Sequence, residues 1–311
     1  MSTKRGQTDY SGILLVDKPS GMTSHDVVDR VRRATGERRV GHAGTLDPMA
    51  TGLLVVLVGP AARLAPFLTA AHKTYDASIV FGSETDTDDA DGRVTRSARV
   101  PDEVADPFFA AGTVASLVGV HEQVPPAYSA IKRGGMVAYR AARAGEAMEL
   151  EPRTIEIASA RLLGVECGRE VVWDVEFAVS KGTYIRALAR DLGRALDTVA
   201  HLGALRRTHS GSMDVADSCT LEQIESALDV TDLFTDPIAA LGIPVLEVTE
   251  EAATRVRNGA ALDAEAYGAA DLAPHASVGI THDGVLLGVY ARTETMLKPL
   301  AIIAGGVGGV R

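Results

Sequence analysis

The 311-residue sequence has only two cysteines, Cys167 and Cys219. They form no CxxC pair and stand beside no histidine cluster, so neither a disulfide framework nor a structural zinc site is expected to underlie the fold. No apolar run approaches the ~20 residues that cross a bilayer. The opening MSTKRGQTDY has no apolar stretch behind Lys4 and Arg5. Neither a membrane span nor a secretory leader is expected, and a cytoplasmic location fits. Also missing are GxSxG, GxxxxGK[ST], HExxH and GxGxxG, so serine-hydrolase, phosphate-loop, zinc-hydrolase and dinucleotide chemistry lose their usual support. The acidic stretch DTDDADG at 86–92 does not reproduce calcium-loop spacing in any register. It reads as a solvated or RNA-adjacent loop.

What is present describes a globular chain. Hydrophobic residues make up 46% and charged residues 23%, enough to bury a sizeable core. The formal net charge of -10 is unevenly spread: residues 1–75 carry net +4, 76–129 net -7, 130–209 net +3 and 210–311 net -10. Nucleic acid needs a local positive patch and not a positive total. The two basic stretches therefore read either as one binding face or as helices with solvated faces.

Periodicity places the elements. Residues 11–16 read as a strand closed by a Lys18-Pro19-Ser20-Gly21 turn. A helix follows, capped at Thr23-Ser24, with Val27, Val28, Val31 and Ala34 as its apolar stripe and Gly36 as its stop. Residues 41–52 form a loop, 53–59 a buried strand, 75–82 another strand, and 101–119 a helix. Residues 123–135 are extended, leading into a helix from Met136. Strands follow at 154–166 and 170–179, the second alternating Trp173, Val175, Phe177 and Val179 inward. The next helix carries Ile185, Leu188, Ala189, Leu192 and Leu196 on one face and Arg186, Arg190 and Arg194 on another. From Pro244 the pattern is a small mostly-β unit, with Asp283-Gly284 as a hairpin signal.

GHAGTLDPMATGLL at 41–54 is the most informative stretch. Gly41, Gly44 and Gly52 permit close approach of a ligand. Asp47, at the edge of a buried strand, reads either as a fixed nucleophile or base, or as an Asp-Pro turn residue. Aromatic residues are only 5% of the chain, so two are singled out. Tyr75 and Tyr184 each sit near positive charge. Each reads as a stacking platform for a nucleobase or as a half-buried core tyrosine.

GILLVDKPSGMTSHDVV, GHAGTLDPMATGLL, KTYDASIVFGSETDTDDADG, PPAYSAIKRGGMVAYRAARAG and SKGTYIRALARDLG occur in that order. Over roughly residues 11–210 the chain resembles the TruB family, the bacterial tRNA pseudouridine-55 synthases. The resemblance implies an α+β pseudouridine synthase fold, with a bent, mixed, largely antiparallel sheet and flanking helices. It divides the chain into a disordered N-terminus at 1–10, a catalytic domain at 11–240, a PUA-like β-domain at 244–305 and a flexible tail at 306–311. It implies isomerisation of uridine 55 in the tRNA T loop, with Asp47 as the essential aspartate, Arg186 as its ion-pair partner and Tyr75 stacked on the target base. Tyr184 and Leu205 would line the uracil pocket, and His42 would fill the gap left by the flipped base. Asp89 and Lys18 would lie near the site. No cofactor and no metal are expected, since the reaction has no net redox change. The expected partner is the T stem-loop of tRNA, bound by a monomer without an obligate protein partner or membrane. Two other readings remain open: a subunit of an RNA-guided pseudouridine synthase, and a non-catalytic tRNA-folding chaperone.

Overall fold

The computed structural model describes residues 10–129, 132–133, 136–137 and 150–309. The chain divides into two compact units, one formed by Met1–Ala71 with His209–Arg311 and the other by His72–Thr208. The first unit has a core drawn from both ends of the chain: Ile13, Leu15, Leu53 and Leu57 from its start pack in one apolar cluster with Leu286, Val289, Ile303 and Val307 from its end.

In the first unit, strand β1 (Gly12–Lys18) pairs antiparallel with β3 (Thr51–Val58), and β2 (Val40–His42) pairs with β3 as well. Both β1 and β3 are buried along almost their whole length, which is why their apolar runs are continuous instead of alternating. The helix Ser24–Thr35 is capped by Thr23 in a capping box with Asp26 and stops at Gly36, whose φ is 68°. Left-handed backbone there is the conformation glycine adopts without penalty. Val27, Val28 and Val31 are buried as expected, but Thr35 and not Ala34 completes the stripe.

The C-terminal sheet of this unit has the order β14 (Val245–Glu247), β16 (Ser277–His282), β17 (Val285–Arg292), β18 (Met296–Val307), β15 (Leu262–Asp263). The β14–β16 pair is parallel. The Asp283-Gly284 turn joins β16 to β17 with both residues at positive φ, 49° and 71°, as a two-residue hairpin requires. The tail starts later than expected, because β18 runs through Gly306 to a fully buried Val307 that pairs with Leu286.

The second unit is a sheet in the order β12 (Ala200–Ser210, its last two residues belonging to the first unit), β4 (Lys73–Phe81), β11 (Val171–Val179), β10 (Arg153–Cys167), β7 (Gly119–Gln123). The β4–β11, β11–β10 and β10–β7 pairs are antiparallel. Strict alternation on β4 and β11 buries Tyr75, Ala77, Ile79 and Phe81 on the same face as Trp173, Val175 and Phe177. Trp173 packs edge-on against Phe81 and donates its indole N–H to Val104 O at 2.8 Å. The helix expected at 101–119 is a short 3-10 turn, Asp102–Ala105, then the helix Pro107–Ser116 capped by Asp106. Met136–Val137, where a helix was expected to begin, instead forms a short strand paired with Lys132–Arg133. The rest of that expected helix lies outside the described residues.

Candidate active site

The loop that carries Asp47 is fixed through both of its neighbours. Thr23 caps the following helix, which leaves the Ser24 hydroxyl for another task. Ser24 Oγ accepts from Leu46 N at 2.8 Å and donates to Leu46 O at 3.1 Å. On the other side, Pro48 O accepts from Gly21 N at 2.9 Å and from Lys18 Nζ at 3.2 Å. Ala50 N donates back to Asp47 O at 3.1 Å and closes the turn. The Asp47 side chain is half-buried at the end of this frame. His42 is half-buried too, on β2 opposite Val56.

The resemblance places Lys18 near the site. It is fully buried, and its ammonium also donates to Pro19 O at 2.9 Å and Met22 O at 2.6 Å. These three carbonyl bonds tie the Pro19–Met22 turn to Pro48, next to Asp47.

In the second unit, Tyr75 lies on β4 opposite Phe177, only 9% exposed. Two residues earlier Lys73 is buried, and its pKa is pushed down from 10.5 to about 8, chiefly by desolvation and then by Arg207 and Lys181. Tyr184 precedes the helix Ile185–Ala195. Its backbone is gripped by the buried Gln123 side chain, which accepts from Tyr184 N at 2.9 Å and donates to Tyr184 O at 3.1 Å. Leu205, on β12, is buried at 8% exposure.

The loop at 86–92, read as solvated or RNA-adjacent, is buried at its centre and exposed at Ala90 and Asp91. Asp88 and Asp89 are both buried, and they answer the arginines of the helix Ile185–Ala195. Arg186 Nη1 donates to Thr87 O at 2.9 Å and lies 3.5 Å from Asp89 Oδ2, while its Nη2 donates to Tyr128 O at 3.0 Å. Arg190 pairs with Asp88 at 3.0 Å, and Arg194 with Glu84 at 3.3 Å. The arginine stripe that could have been a solvated face is thus a ladder of ion pairs, its first two rungs buried. Burial pushes the Asp88 carboxyl up, and Arg190 opposes that shift. The loop is stitched to β12 by Leu202 N to Asp88 O at 3.1 Å and Ala90 N to Leu202 O at 2.9 Å.

Ser24 holds Leu46, Gln123 holds the Tyr184 backbone, and Asp88 pairs with Arg190 one turn from Arg186; sequence reasoning gave none of these four a role at the site. Among the described residues, one grouping has metal-ligand composition, Glu247, His282 and Asp283, and it is remote in sequence from every residue above. No described helix is long and apolar enough to cross a membrane.

Residues 32–185 match the profile of the TruB family pseudouridylate synthase N-terminal domain, and 186–237 that of the tRNA pseudouridylate synthase B C-terminal domain. The chain is 42% identical to the tRNA pseudouridine synthase B of Paenarthrobacter aurescens over 95% of its own length and 96% of that relative's. It is 42% identical to that of Thermobifida fusca over 94% and 99%. With that of Mycobacterium ulcerans it shares 44% identity over 81% and 83%. The crystal structure of a Cbf5–Nop10–Gar1 complex has the same fold, with a TM-score of 0.69 at 24% identity over 94% of this chain and 84% of that one.

Proposed function

The chain belongs to the TruB family of tRNA pseudouridine synthases, and from that premise we propose that it isomerises uridine 55 in the T loop of tRNA. The N1–C1′ bond of the uridine breaks, the uracil turns in its pocket, and C5 bonds to C1′. C5 gives up its proton and N1 gains one, so atoms and electrons balance without a redox partner.

Asp47 is the acid that drives this reaction, and the firm support of its loop is the observation that carries the assignment. A nucleophile is useful only if it is held in reacting geometry. Here the residue on each side of Asp47 is bound by groups behind it, Ser24 on one side and Lys18 with Gly21 on the other. The family resemblance gives Arg186 the part of the aspartate's cationic partner, and in this chain its guanidinium lies 3.5 Å from Asp89. Tyr75 stacks on the target base, Tyr184 and Leu205 line the uracil pocket, and His42 fills the space the base vacates. Asp89 steadies Arg186. A base stacked inside an RNA loop must leave the stack to meet a carboxylate, at a cost of a few kcal/mol that an aromatic platform partly offsets. The C-terminal β-sheet serves as a PUA-like domain.

The deciding experiment uses tRNA transcript tritiated at C5 of uridine. The wild-type protein alone should release tritium, and Asp47→Asn should bind the transcript and release none. Full release by Asp47→Asn removes the catalytic assignment. No release by the wild type on bare transcript points instead to an RNA-guided subunit or a chaperone.

A further inference from the structure

Arg186 and Arg190 are one helical turn apart, and they grip the same two segments. Arg186 binds Thr87 O and Tyr128 O; Arg190 binds the Asp88 carboxylate and, through Nη2 at 2.8 Å, Val124 O. Arg190 Nε donates to Asp191 Oδ1 at 2.9 Å, which fixes the roll of its own guanidinium. Between the two arginines lies the peptide joining Thr87 to Asp88. Its carbonyl is an acceptor for Arg186, and its orientation depends on φ of Asp88. That φ is 61°, in the left-handed region that few non-glycine residues adopt and that Asp and Asn adopt more readily than most.

We propose that the Asp88–Arg190 ion pair is a positioning pair for uridine isomerisation: it holds the Thr87–Asp88 peptide so that Thr87 O and Asp89 meet Arg186, and thereby sets the pose of that guanidinium. Neither residue touches the reacting atoms. The proposal rests on the reading that Arg186 serves Asp47.

A hydrophobic pair of the same volume would also tie the helix to the loop, and buried ion pairs are poor sources of stability. What an apolar pair cannot do is aim a peptide carbonyl. Burial opposes the charge on Asp88, a cost that orientation explains and stability does not. The groups facing the Asp88 carboxylate are Arg190 and Arg186 from the helix and Glu84 from β5 (Ser83–Thr85), and Glu84 is itself paired with Arg194.

The test is steady-state kinetics on unmodified tRNA transcript, with melting temperature measured beside it. Asp88→Asn keeps the shape and tolerates positive φ. It should lower kcat by about 10-fold to 100-fold with KM within about twofold of wild type. Arg190→Lys keeps the charge but not the two-pronged grip, so its kcat should fall between the two. Removing one partner strands a buried charge, so the double variant Asp88→Asn/Arg190→Met covers the case where a single variant does not fold. Its kcat should fall as far as that of Asp88→Asn, again with KM held. Wild-type kcat in the folded double variant overturns the proposal, as does a loss that merely follows the unfolded fraction. Asp47→Asn is the control that separates the two readings. If it is inactive while the double variant is fully active, only the positioning role fails; if it is active, the catalytic reading beneath it fails as well.

Discussion

Ser24 Oγ is bonded twice to Leu46, accepting its amide N–H at 2.8 Å and donating to its carbonyl at 3.1 Å. A single hydroxyl thus replaces a backbone pairing and holds the residue before Asp47. Ser24→Ala leaves a buried N–H and C=O unmade. It should destabilise the protein by about 1–3 kcal/mol and lower kcat on tRNA more than it weakens tRNA binding. Thermal unfolding and kinetics check both parts. An Ala variant with wild-type kcat would show that the Asp47 loop holds its shape without this clamp.

Gln123 does for Tyr184 what Ser24 does for Leu46. Gln123→Leu keeps the bulk but abandons both bonds to the Tyr184 backbone. The expected loss is again about 1–3 kcal/mol in urea unfolding. Because Tyr184 is proposed to line the uracil pocket, KM for tRNA should rise as well. Unchanged KM would place Tyr184 outside that pocket.

Lys73 predicts an alkaline signature. Its folded pKa is pushed down from 10.5 to about 8, chiefly by desolvation. Between those values the unfolded chain keeps the proton that the folded chain has released, so stability rises with pH across this window. Denaturant midpoints measured from pH 7.5 to 10 should show that upward contribution, and Lys73→Met should lack it. Identical pH slopes in the two proteins would mean that Lys73 titrates normally.

His282 works in the opposite sense. Its Nδ1 donates to Val248 O at 2.8 Å, and Nε2 faces Glu250 at 2.8 Å and Asp283 at 3.5 Å. The bond to Val248, then Asp283, Glu250 and Glu247, raises its pKa above 6.5. A raised cationic pKa gives stability that is present in full below 6.5 and is lost as pH rises through the folded value. Glu250→Gln should move the His282 imidazole titration, followed by NMR, to lower pH. A titration at the same pH in both proteins would show that the carboxylate does not couple to the ring.

Much of the fold was legible because the local code is strong. The inward series on β11, the capping box at Thr23 and the Asp283-Gly284 hairpin all come from residues within a few positions of one another. The failures share a cause. Ala34 and Thr35 are both small, and only packing chose between them. Gly306 and Val307 looked like a loose glycine-rich tail until Leu286 supplied a strand partner. The burial of Asp88 and Asp89 was not legible because no local rule states that arginines about a hundred residues later will turn toward them. Either Thr23 or Ser24 could have been the cap; the bond of Ser24 to Leu46, 22 positions away, leaves that role to Thr23.

The chain alone determined its family and its candidate residues, since long ordered motifs and periodicity are written in neighbouring positions. Which charges are buried, and which small polar groups hold Asp47, Tyr184 and Arg186 in place, was decided only in three dimensions. Burying a charge is tolerable where a partner reaches it, and that partner arrives from a distant stretch of chain whose position no local preference specifies.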